Sequence, residues 1–165
     1  MPLSKKLDTV QWFGRGPHEN YVDRKQSSFI GHYTRTISEF YFPYIRPQEN
    51  GNRTDTSWAS LTDSNGVGLM FAGNDKFEFS ALQYSTNAFD GTELGRYRHS
   101  NSLTKSEQIT FNLNHKQMGV GGDTSWGAKP HPQYRIPAKS MSYKFRLLPI
   151  DLNKHDLIKR SKQTF

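Results

Sequence analysis

Apolar and polar positions alternate along much of this chain, in short stretches separated by turn residues. In residues 108–113, Ile109, Phe111 and Leu113 share one side and polar residues take the other. A period of two defines a half-buried strand. Residues 77–82 alternate in the same way, and residues 139–148 predict a last strand with Met141, Tyr143, Phe145 and Leu147 on one face. Arg53–Thr62 alternates loosely through Trp58 and Leu61. Residues 63–66 followed by the apolar run 67–72 signal a hairpin, with Asn65-Gly66 suited to a type I′ turn. Gly73-Asn-Asp-Lys76 predicts the next turn. Residues 10–13 form a short β-prone run, and residues 29–33 and 40–45 are aromatic-rich. One helical turn fits at residues 38–42, but Pro43 and Pro47 exclude a longer helix.

No segment sustains a 3.6-residue period. Frequent turns and dominant strands predict an all-β chain, an antiparallel β-sandwich. Residues 1–8 are polar and predict either a frayed end or a strand without neighbours. Gly14, Gly16 and Pro17 predict a non-repetitive loop. Residues 85–106 are an unphased strand pair or a long connection, and residues 129–132 an extended loop. The reading divides the chain into a β-domain over 1–150 and a polar, basic tail over 151–165, either disordered or a short helix through Leu157 and Ile158.

Composition narrows the picture. The chain has 165 residues, enough for one domain with a real core. Its 33% hydrophobic content includes 13% aromatics, so the core leans on Phe, Tyr and Trp. Cysteine is absent, which excludes disulfides, thiol nucleophiles and Cys-ligated metals. No run approaches a membrane span, and the basic start of the chain has no apolar stretch after it to make a signal peptide. The net charge of +7 is scattered singly, with one cluster in 154–162 that meets Asp151 and Asp156. That distribution predicts a solvated surface rather than a nucleic-acid stripe.

Two polar stretches stand outside the strand pattern. Residues 14–24 (Gly-Arg-Gly-Pro-His-Glu-Asn-Tyr-Val-Asp-Arg) concentrate Glu19, Asn20, Asp23 and Arg24 in a loop. A self-satisfied hydrogen-bond knot explains such a loop. A phosphate cradle does not, because no helix follows to supply donors. Residues 115–127 carry Gly119, Gly121 and Gly122, then Asp123, Ser125 and Trp126. A bare turn needs one glycine and rarely ends on the largest side chain. The loop therefore reads as shaped to place Trp126, either outward as a platform or inward as a plug.

Residues 14–24 resemble the G-x-G-P-x-E-N-Y-x-D-R stretch in the C-terminal (small-chain) domain of large bacterial β-galactosidases of glycoside hydrolase family 2. Pro43-Tyr44 with Pro47-Gln-Glu49-Asn50-Gly51 is similar to that domain's P-Y-x-x-P-x-E-N-G segment. Met118-Gly-Val-Gly-Gly-Asp-Thr-Ser-Trp126 is similar to its M-G-x-G-G-D-x-S-W loop. The resemblance implies the large double-sheet sandwich shared with galactose-mutarotase-like domains, here without its first part. It implies a bacterial cytoplasmic or periplasmic setting. It also implies that Trp126, oriented by Asp123 and Ser125, faces the galactoside or aglycone pocket of a whole enzyme.

On that basis Trp126 is expected outward. Gly119, Gly121, Gly122, Glu19, Asn20, Asp23, Arg24, Glu49 and Asn50 are expected to structure loops. No catalytic residue is expected here, because the family takes both glutamates of its retaining mechanism from a separate (β/α)8 barrel. The magnesium and sodium of the family's whole enzymes belong to the barrel region, so no cofactor or metal is expected in this chain. The expected partners are the remaining β-galactosidase domains and further copies of the chain. A homo-oligomer would cover an edge left open near residues 10–13. Two other readings remain. A free-standing carbohydrate-binding module would need several exposed aromatics, with Trp12 and Trp58 more naturally in the core. A mutarotase would need a paired His and carboxylate, and the six histidines are scattered.

Overall fold

The computed structural model describes residues 1–45, 48–89, 99–121 and 127–163. Their strands are β1 (Pro2–Ser4), β2 (Thr9–Gly16), β3 (Phe29–Thr36), β4 (Arg53–Thr62), β5 (Val67–Leu82), β6 (Gln108–Asn114) and β7 (Phe145–Asp151). All belong to one antiparallel sheet, ordered β1-β6-β5-β4-β2-β3, with β7 also paired to β5. Among the described residues two short α-helices accompany it, α1 (Thr86–Phe89) and α2 (Leu157–Ser161), with 3-10 turns at Ile37–Phe40, Ser100–Ser102 and Pro132–Tyr134. The chain is all-β, and its single sheet carries a core on each face, as a sandwich layer does.

The larger core lies on the face of Val10, Trp12, Phe71, Phe79 and Phe111. Trp12 is fully buried, with Phe40 and Phe79 edge-on at 5.4 and 6.1 Å, and its indole donates to the Arg15 carbonyl at 3.0 Å. Each such ring removes enough apolar surface from water to contribute about 2–3 kcal/mol. The smaller core gathers Trp58, Met70, Leu148 and Ile150 on the opposite face, closed by Leu157 of α2.

Several expectations are corrected. The first residues are paired: β1 lies against β6, with Leu3 opposite Ile109. Strand β2 runs on through Gly14 and Gly16, which the sequence reading assigns to a loop. A Cβ on Gly14 would lie 2.6 Å from the Thr56 hydroxyl, so glycine here permits strand contact rather than a turn. Strand β2 is hydrogen-bonded on both sides, to β3 and β4, so residues 10–13 are not an open edge.

The hairpin at 63–67 is present, but its turn is not type I′. Gly66 has φ +78°, Asn65 is not among the residues with positive φ, and the Gly66 N–H donates to the Asp63 carbonyl at 3.0 Å. A three-residue loop with glycine in the left-handed region meets that geometry. Gly73–Lys76 does not end a strand. Strand β5 passes through it while β4 shifts register opposite. Strand β7 begins later than predicted and buries Leu148 and Ile150, whereas Phe145 and Leu147 stay exposed. The tail contains α2, capped by Asp156, whose carboxylate accepts from Lys159 N–H at 2.9 Å. Residues 85–106 hold α1 and a 3-10 turn at Ser100–Ser102, while 90–98 lie outside the described residues.

Candidate functional site

Loops at one end of the sheet surround a cleft of about 970 Å³. Its borders come from Tyr21–Arg24, from Tyr44 and Gln48–Glu49, from Gln117–Gly121, and from Gly127 to Tyr134. Each border is held by polar groups that the strands bring into reach.

Glu19 anchors two borders. Its Oε1 accepts from Arg24 at 2.7 Å and from the Tyr44 hydroxyl, and its Oε2 accepts from Gly51 N–H at 2.8 Å and Tyr21 OH at 3.3 Å. Every lone-pair direction of this buried carboxylate is engaged, so it holds structure and is not free for proton transfer. The Arg24 guanidinium also lies over the Tyr21 ring at 5.3 Å. Burial, then the charges of Glu19 and Glu49, push the Tyr21 phenol well above its ordinary pKa.

Asn20 is fully buried and ties the loop to β4. Its Oδ1 accepts from Thr54 N–H at 2.9 Å and Thr54 Oγ1 at 2.6 Å, and its Nδ2 donates to the His18 carbonyl at 3.0 Å. Asn50 closes the neighbouring loop by bonding both backbone groups of Phe42, at 2.9 and 2.6 Å. The Glu49 carboxylate lines the cleft with no hydrogen-bond or ion-pair partner among the described residues.

Asp23 supports the glycine loop. Its carboxylate accepts from Val120 N–H at 3.3 Å and Gly121 N–H at 2.9 Å. Successive backbone N–H groups around one carboxylate form a small anion nest. A Cβ at Gly119 would lie 2.6 Å from that carboxylate, so only glycine lets the chain wrap so closely. Gly119 N–H donates to the Tyr134 carbonyl at 2.9 Å, which fixes the opposite border. Gly122, Asp123, Ser125 and Trp126 lie outside the described residues, but Gly121 and Gly127, which flank them, both line the cleft.

Three supporting residues escape the sequence reading. Asn52 donates to the Asn20 carbonyl at 3.1 Å and to Glu78 at 2.8 Å. Arg53 is buried, with its guanidinium 4.4 Å from the Phe40 ring centroid, and it donates to the Gly51 and Asn52 carbonyls at 3.1 and 3.2 Å. Burial lowers its pKa to about 10. Glu78 accepts from Gln117 N–H at 3.4 Å, and burial raises its carboxyl pKa above the ordinary range. Arg53 and Glu78 lie on strands and Asn52 lies just before β4, so no local polar signature marks them; only the sheet pairing reveals them.

The oxygens of Glu19 and Asp23 are already occupied by donors. No cluster of three His, Asp or Glu side chains fit for a metal occurs among the described residues. A magnesium or sodium ion therefore does not fit these carboxylates.

An antiparallel β-domain with a loop-built cleft, its Glu19 and Asp23 carboxylates committed to holding that cleft, is the class the fold and site define. Residues 1–147 match a family model described as "Beta galactosidase small chain". The chain belongs to that family. It is 42% identical over 149 residues to a β-galactosidase of Priestia megaterium, covering 90% of this chain and 14% of the relative. It is 41% identical to one from Vibrio cholerae, covering 84% and 12%, and 37% identical to one from Pseudoalteromonas haloplanktis, covering 88% and 13%. The chain thus spans about 12–14% of the length of these relatives.

Proposed function

We propose that this chain is the part of a β-galactosidase that borders the sugar and aglycone pocket, and that it serves hydrolysis of terminal β-D-galactosides together with a barrel domain carrying the catalytic glutamates. The observation that supports this most is the Asp23-held glycine loop, because Gly121 and Gly127 both border the open cleft. In this reading Trp126 offers its indole to the C–H face of a sugar ring, a rigid contact with little entropy to lose. Asp123 and Ser125 orient the loop, and Glu49 keeps a carboxylate at the rim that is unpaired among the described residues.

Trp126→Ala in the whole enzyme is expected to raise KM for lactose about tenfold or more, in keeping with the loss of one aromatic contact of ~1–3 kcal/mol. Steady-state kinetics on lactose decide the point, and an unchanged KM and kcat would sink this reading. A free-standing sugar-binding module gains nothing from the fold, since Trp12 and Trp58 are buried in the two cores. A mutarotase is equally unsupported: His18 bonds serines, His32 meets Gln11 and Trp58, and His115 stacks on Tyr143.

A further inference from the structure

A second cleft, of about 490 Å³, shares Gln117 and Tyr134 with the first as a common wall. Its volume falls in the range of small-molecule sites, roughly 300–1,000 Å³. Asp55 borders it from an irregular part of β4, where register shifts fall on either side of Thr56. Asp55 has φ +52°, a left-handed conformation that few non-glycine residues hold without a reason. Bulges of this kind re-aim side chains beside functional sites. The Asp55 carboxylate accepts from Arg15 at 2.6 Å and Lys25 at 2.8 Å, so its charge is more than matched.

The remaining cations of this cleft have no such match. Lys76, Lys116 and Arg135 line it, and none forms an ion pair with a carboxylate among the described residues. Lys76 donates to the Ser57 hydroxyl and Arg135 to the Pro130 carbonyl, both neutral acceptors. The other carboxyl in the lining, Glu78, is buried, which raises its pKa, and its oxygens accept from Asn52 and from Gln117 N–H. A cleft lined by unmatched cations attracts anions.

Two further features ask for more than a bare ion. Tyr134, Ile136 and Pro137 supply ring and aliphatic surface. The Oε1 of Gln117 is buried without a donor among the described residues, an acceptor that a ligand hydroxyl would satisfy.

We propose that this cleft binds an anionic saccharide, with its ring against Tyr134 and Ile136, a hydroxyl on Gln117, and a carboxylate or sulfate held by Lys116 and Arg135. The site is built within this chain and does not rest on the role proposed above for the neighbouring cleft. Isothermal titration of the full chain tests it, using trigalacturonate, a sulfated galacto-oligosaccharide, neutral galactotriose and inorganic phosphate.

Measurable binding of either acidic saccharide, with neutral galactotriose and phosphate at least tenfold weaker, is the expected result. The carboxylate and sulfate arms then identify the anion. The double variant Lys116→Gln/Arg135→Gln is expected to bind about tenfold more weakly. The charge-preserving Lys116→Arg/Arg135→Lys is expected to keep most of the affinity. Both side chains are at the surface, so circular dichroism should report an unchanged fold. Silence with both acidic saccharides, equal binding of galactotriose or phosphate, or an affinity indifferent to the Gln variant would each overturn the proposal.

Discussion

Glu19 and Glu78 are both buried carboxylates, yet their surroundings set them to different tasks. Glu19 meets one guanidinium, two hydroxyls and a backbone N–H. Glu78 meets one side-chain amide and one long backbone contact, and burial dominates, raising its folded-state pKa. An acid whose folded pKa exceeds its unfolded value holds its proton longer in the native state. Its contribution to stability is then complete below the unfolded pKa and is lost as pH rises through the folded one. Urea midpoints from mildly acidic to neutral pH should show Glu78→Gln flattening a decline that the native chain displays. Parallel curves for the two proteins would refute this. Glu19, Asn20 and Asp23 are visible in the sequence as polar groups crowded into one loop. Glu78 is not, because its burial depends on Asn52 and Gln117, 26 and 39 residues away.

Strand β6 shows how far a local pattern reaches. Its alternation predicts Ile109 and Phe111 inside, and both are 1% exposed. Strand β7 shows where it stops. Tyr143, Phe145 and Leu147 alternate as well as Leu148 and Ile150 do, and the choice of buried set depends on what lies across β5. There Met70 and Ala72 meet Leu148 and Arg146 in register, while α2 supplies Leu157 from above. Glycine misleads by the same route, since Gly14 answers to Thr56 on a neighbouring strand rather than to its own sequence neighbours. The packing of α2 carries a prediction. Leu157→Ala should cost about 2 kcal/mol, the low end for a buried leucine, because the site lies at the border of the smaller core. Chemical denaturation measures it, and a loss below about 0.5 kcal/mol would mean that α2 does not close that core.

The all-β class follows from short alternating runs and dense turn residues, but sheet order does not. The order β1-β6-β5-β4-β2-β3 joins strands from opposite ends of the chain, and no local signal encodes that closure. It also moves the open edge. Among the described strands β3, not β2, ends the strand order with one side unpaired, and its Phe29 and Ile30 are 73% and 46% exposed. An eight-residue edge with exposed apolar side chains is a template for another strand. We therefore expect the isolated chain to self-associate at micromolar concentration, and Ile30→Lys to shift it toward monomer. Light scattering coupled to size-exclusion separates the two outcomes; a native chain that elutes as a folded monomer contradicts the expectation.

The close fit of Gly119 around Asp23 has a consequence for anyone wishing to vary the border of this cleft. Met118 and Val120 are about half exposed on the cleft border, and their side chains can be varied without touching the carboxylate. Gly119 tolerates no such variation, and at Gly121 a Cβ would lie 3.3 Å from the same oxygen. A combinatorial library that randomises 118 and 120 while holding 119 and 121 would therefore explore chemistry at the rim with the backbone path preserved. One that randomises all four would spend most of its members on loops that no longer reach their anchor.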